Sequence, residues 1–239
     1  MPIRAHLIYF AKNYLRSHRY INELVAILIF HIFFWGFLYS DSPDDMVWVS
    51  FGVLALILNI FTVPSLFLLE KGNSLYFSLS KECGRSRYFL AKFILIISID
   101  FFWICLFALL YGLRFLTIDY FLMLPLRLLL ILLLIILSTL IWNLSFSSRR
   151  PINRIFILAG FLLIIFGSIV NKQAGFPIEA FRDSYTVLFL ILPPIQELIY
   201  SSITLDLFSW RSLFLLIALL QIVIYFIINF RRFQRCDFY

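Results

Sequence analysis

Six long apolar runs, at roughly 21–39, 47–69, 88–112, 120–144, 153–170 and 212–230, leave this chain few ways to fold. A helix that crosses a bilayer needs about 20 predominantly apolar residues. In lipid, the backbone polar groups of each such run must be satisfied internally, which a helix does within one segment. Composition agrees: 63% of residues are hydrophobic, 14% are charged and the mean hydropathy is +0.98, too little polar surface for a soluble globule. The expectation is an all-α integral membrane protein with six transmembrane helices, one membrane domain over 1–239 and no room for an added soluble catalytic domain. The first run is longer than a signal-peptide core, and LYSDSPDD after it offers no small-x-small cleavage site.

Charge placement gives an orientation. With both termini cytoplasmic, Arg4, Lys12, Arg16, Arg19, Lys71, Lys81, Arg85, Arg87, Lys92, Arg149, Arg150, Arg154, Arg231, Arg232 and Arg235 all fall inside. Only Arg114, Lys172, Arg182 and Arg211 fall outside, together with most of the carboxylates. That bias is the positive-inside pattern, and it accounts for the net charge of +7 without nucleic acid.

Two segments depart from simple spans. The stretch TVLFLILPPIQELIYSSITLDLF is apolar enough for a seventh crossing, but Pro193 and Pro194 interrupt it and Glu197 follows. It is read as an outer re-entrant helical hairpin over 187–206, before the last span. Over residues 1–20, Ile3, Leu7, Phe10 and Tyr14 share one helical face while Lys12, Arg16 and Arg19 lie opposite. This is a basic amphipathic helix suited to the inner interface and to anionic lipid.

Catalytic motifs are wanting. His6, His18 and His31 cluster near the N-terminus, so separated segments supply no histidine constellation for catalysis or metal binding. Cys83, Cys105 and Cys236 lack metal or disulfide spacing. The sequence has no G-x-x-x-x-G-K loop to hold a nucleotide's phosphates. The chain is expected to be neither an enzyme nor a metal or cofactor binder on its own.

The densest polar feature is LLEKGNSLYFSLSKECGRSRYFLAKFILI, beginning at Leu68, between the second and third apolar runs. Gly72 permits a sharp turn out of a span. Leu75, Tyr76, Phe77 and Leu79 offer apolar knobs, with Lys81 and Glu82 as a polar rim. A solvated loop that merely fixes topology is the plain alternative. The order of parts, Glu70-Lys71-Gly72, an amphipathic patch, Arg85-Ser86-Arg87 and then Lys92, resembles the ATP-binding-cassette (ABC) type-2 transporter permeases. The layout of the whole chain is similar too: an N-terminal elbow helix, six spans and a re-entrant outer hairpin.

That resemblance implies a coupling helix within the 71–87 loop, grasped by a separate ATP-binding subunit that carries ATP and magnesium. It assigns Glu70, Gly72, Leu75, Tyr76, Leu79, Arg87 and Lys92 to the coupling, with Lys92 snorkelling to the phosphate layer. It also implies a second permease chain as partner, an exporter's direction of transport and a bacterial inner membrane. The rival readings are a stand-alone secondary transporter, which would usually show repeats with matching broken helices, and a non-transporting assembly subunit.

Two charges lie inside apolar runs. Asp100 is twelve residues into the third, about 18 Å from its inner end, and Arg127 is seven residues into the fourth, about 10 Å from its outer end. At those depths the two are nearly level in a hydrocarbon core about 30 Å thick. An unpaired charge there costs at least about 2.5–3.5 kcal/mol, so the expectation is an Asp100–Arg127 pair, either locking two helices or lining a path.

Overall fold

A computed structural model describes residues 3–39, 45–67, 84–146, 194–205 and 212–235, and within these every regular element is a helix. In order they are α1 (Ile3–Arg16), α2 (Tyr20–Leu38), α3 (Val47–Phe67), α4 (Gly84–Phe115), α5 (Ile118–Phe146), α6 (Ile195–Thr204) and α7 (Ser212–Arg235). Four of them, α3, α4, α5 and α7, are long and apolar enough to cross a membrane, which makes this a membrane protein. The first expected span falls on α2, which is not among these four and whose backbone leaves helical geometry at Phe34. The run at 153–170 lies outside the described residues.

α3 is the centre of the bundle and packs against α2, α4, α5 and α6. Its Trp48, Phe51, Leu54, Leu58 and Leu66 are wholly buried, whereas α7 keeps Leu213, Leu216, Leu220, Val223 and Ile227 on an exposed apolar face suited to lipid. α4 and α5 form an antiparallel hairpin. Its tight turn places Leu116 at φ 52°, and the Tyr120 hydroxyl donates to the Ala108 carbonyl at 2.8 Å. Gly112 makes the approach possible, because a Cβ there would lie 2.6 Å from Tyr120 Cε1.

The amphipathic N-terminus does form a helix, and its apolar face is taken by protein. Phe10 and Tyr14 are buried, α1 packs along α4, and Phe10 meets Tyr88 edge to face at 5.2 Å. Lys12 and Arg16 stay exposed on the other side. The C-terminal part of α7 docks on the same end of α4 through an aromatic ladder, with Tyr88 stacked on Phe233 and Phe89 against Phe226 and Phe233. Aromatic pairs of this kind are worth about 0.5–1.5 kcal/mol each beyond their area.

At the opposite end of the bundle, α6 lies against α3 and α5. Its ten residues span about 15 Å, half of what a crossing needs. Leu205, at φ 55°, stops it by donating its N–H to the Ser201 carbonyl. The first part of the expected 187–206 hairpin lies outside the described residues.

Candidate functional site

The last four carbonyls of a helix have no partner within it. At the end of α3, just before the polar insert, two basic side chains supply partners. Lys92 of α4 donates to the Leu66 carbonyl at 2.8 Å, and Arg19, in the turn between α1 and α2, donates to the Ser65 carbonyl. Positive charge is also what the dipole favours at a helix C-terminus. Lys92 is completely buried, with its ammonium 4.4 Å from the Tyr88 ring centre and 5.5 Å from that of Phe10. Lys92 therefore does not snorkel to the phosphate layer as expected. A carbonyl and two rings nearby hold it inside, where it ties α1, α3 and α4 together.

Where the chain resumes after the insert, α4 is fastened again. Arg85 donates to the Gln234 carbonyl at 2.7 Å, and the Gln234 amide donates to the Ser86 hydroxyl at 3.0 Å. Arg87, one turn into α4, is exposed. Glu70, Gly72, Leu75, Tyr76 and Leu79 lie outside the described residues. Of the hairpin residues, Pro193 lies outside the described residues, Pro194 precedes α6, and Glu197 is half-buried in its first turn.

The expected Asp100–Arg127 pair is not formed. Asp100 is fully buried and its Oδ2 accepts from Asn59 Nδ2 at 2.9 Å and pairs with the Thr62 hydroxyl at 3.1 Å. Asn59 Nδ2 also donates to the Thr139 hydroxyl at 2.8 Å, so α3, α4 and α5 meet in one polar layer. Arg127 instead forms a 2.7 Å ion pair with Asp45, just before α3, and lies over the Trp48 ring at 5.3 Å.

The physical reason is register. α4 starts at Gly84, ahead of the apolar run, and Lys92 is level with the end of α3. Asp100 is thus only eight residues, about 12 Å, beyond that level. Thr139 shares its layer, and Arg127 is twelve residues, about 18 Å, further along α5. The two charges sit in opposite halves of the bundle.

Sequence reasoning missed a second buried carboxyl. Glu23 on α2 is 1% exposed, and Trp103 Nε1 of α4 donates to its Oε2 at 3.2 Å. Tyr14 is its neighbour on α1, and the two carboxyls are close enough to feel each other's charge. Burial first, then the adjacent Glu23, pushes the Tyr14 phenol well above the ordinary tyrosine range. The signals were present: Glu23 is the sole acidic residue in the first apolar run, and Asn59, Thr62 and Ser65 recur every three residues on one face of the second. Among the described residues, no group of three or more His, Cys, Asp or Glu side chains could hold a metal ion.

The chain matches no protein-family model, and neither a curated protein nor a solved structure shows significant similarity to it.

Proposed function

We propose that this chain is the membrane-spanning subunit of an ATP-driven transporter of the ABC type-2 kind, moving a substrate outward. The observation that carries the reading is the double fastening of the insert. Its entering end is held through Ser65 and Leu66 by Arg19 and Lys92, and its leaving end through Arg85 and Ser86 by Gln234. A force on the loop between them is passed to the α1–α2 turn, α3, α4 and α7 together. Rigid-body rocking of packed helices needs that kind of attachment.

In this reading the insert is cytoplasmic, as are both termini, and α1 is the elbow helix at the inner interface. Six spans are completed by the run at 153–170, and α6 is the second arm of the outer hairpin. The membrane is a bacterial inner membrane. A separate ATP-binding subunit, with its ATP and magnesium, grips Leu75, Tyr76 and Leu79, while Glu70 and Gly72 set the turn. A second permease chain completes the transporter, and no catalytic step falls to this chain.

The test is co-purification with an ATP-binding-cassette subunit from the native membrane, with single cysteines at Tyr76 and Leu79 cross-linked to it. Glu70→Ala should leave insertion intact while lowering transport per ATP hydrolysed. Transport by proteoliposomes holding this chain alone would refute the proposal. That result would favour a secondary transporter, the reading to which the buried carboxyls Asp100 and Glu23 lend weight.

A further inference from the structure

The polar layer around Asp100 carries more than a packing role. Its oxygens come from three helices: the Asp100 carboxyl from α4, the Asn59 amide and Thr62 hydroxyl from α3, and the Thr139 hydroxyl from α5. All four residues are wholly buried. Asp100 Oδ1 and Asn59 Oδ1 have no hydrogen-bond partner, although both are acceptors that burial makes costly to leave unmatched.

Among the described residues, no basic side chain pairs with the carboxyl. The groups facing it are Tyr14 from α1, Glu23 from α2, Asn59 and Thr62 from α3, and Thr139 from α5, and none carries positive charge. The cations nearest in the chain are committed elsewhere: Lys92 to Leu66 and Arg19 to Ser65. Glu23 brings a second buried carboxyl to the same region.

We propose that Asp100, Asn59, Thr62 and Thr139 form a binding site for a single monovalent metal cation, with sodium as the occupant. One carboxylate and three neutral oxygens match one positive charge. Calcium and magnesium draw on several carboxylates or retain water, and softer metals require nitrogen or sulfur ligands that this layer lacks. A half-turn of the Asn59 amide exchanges Nδ2 for Oδ1 and brings a carbonyl oxygen between Asp100 and Thr139. The neighbouring atoms are 2.8–3.1 Å apart, in direct hydrogen-bond contact, so an ion enters only as these side chains draw apart, and a small alkali ion needs the least separation. Because its ligands come from three helices, the ion holds α3, α4 and α5 in one arrangement and is released if they separate.

The test uses the full-length chain purified in detergent, independent of any ATP-binding partner. Thermal unfolding is followed at constant pH and ionic strength while sodium chloride replaces choline chloride, with potassium chloride as a parallel series, and radioactive sodium measures occupancy directly. The expected result is a saturable rise in melting temperature with sodium, a smaller one with potassium and about one sodium bound per chain. Thr62→Val should weaken sodium binding about tenfold or more while leaving the fold intact. Asp100→Asn should abolish the response and melt at the same temperature in all three salts. Should Asp100→Asn fail to fold, Thr62→Val and Thr139→Val carry the test. Equal melting curves in sodium and choline would overturn the proposal. So would a response to pH alone, which would make a proton the neutralising ion.

Discussion

Replacing Gly52 by alanine sets two effects of opposite sign against each other. In a helix interior, alanine is preferred to glycine by about 0.8–1.0 kcal/mol, so α3 by itself would gain. The new Cβ, however, would lie 2.8 Å from Ile199 Cγ1, 3.2 Å from Cδ1 and 3.3 Å from Cγ2. Carbon atoms prefer about 3.5–4.0 Å, so the closest contact is short by roughly 0.7–1.2 Å. Ile199 cannot swing aside, since a β-branched side chain in a helix has one strongly favoured rotamer. Either α6 shifts away from α3 or strain of about 1–3 kcal/mol is retained. The net expectation for Gly52→Ala is a loss of roughly 1 kcal/mol once the helix gain is subtracted.

Ile199→Ala alone should cost about 2–5 kcal/mol, because the side chain is buried. In the double variant the clash disappears and the alanine's helix preference is recovered. The two substitutions should therefore couple favourably, by about 1–3 kcal/mol. Reversible unfolding of the four chains in mixed micelles, titrated with a denaturing detergent, gives each free energy and closes the cycle. Costs that add within about 0.3–0.5 kcal/mol would refute the close seating of α6 on α3.

Lys92→Met keeps the volume but removes the cap on α3, leaving the Leu66 carbonyl unpartnered at a cost of about 1–3 kcal/mol. Amide exchange should quicken in the last turn of α3 and stay unchanged in α5; uniform quickening would mean general destabilisation instead. Tyr14→Phe should flatten the alkaline limb of the stability profile. The folded-state phenol is raised above the ordinary value of 10.0, so the folded chain holds its proton more tightly than the unfolded chain does. Stability is then complete below about pH 10 and falls as pH climbs above it, and removing the hydroxyl abolishes that contribution. Equal alkaline slopes in the two chains, followed by circular dichroism, would count against it.

The legible part of the fold was the part decided locally. The runs at 47–69, 88–112, 120–144 and 212–230 became α3, α4, α5 and α7, with ends displaced by no more than five residues. The amphipathic pattern of the N-terminus was also read correctly as a helix, but not the surface it covers. A face composed of Phe10 and Tyr14 fits lipid and protein equally well, and only the presence of Tyr88 on α4 decided between them. Lys92 failed for a related reason. A lysine near the end of a span reaches water unless a carbonyl and aromatic faces are nearer; Tyr88 is local to α4, but the Leu66 carbonyl and the Phe10 ring belong to residues 26 and 82 positions away in the chain.

The sequence by itself determined that this chain resides in a bilayer and which segments are helical there. Spanning depends on apolarity summed over about twenty neighbouring residues, a property each segment carries alone. Only the tertiary structure decided the partners of the buried charges. Those depend on the relative height of helices, and each residue of offset moves a side chain about 1.5 Å along the axis. With Lys92 level with the end of α3, Asp100 comes beside Asn59, Thr62 and Thr139, and Arg127 is left to Asp45. Short-range forces fall off over a few ångströms, so such a shift exchanges one set of partners for another while the hydropathy of every segment stays the same.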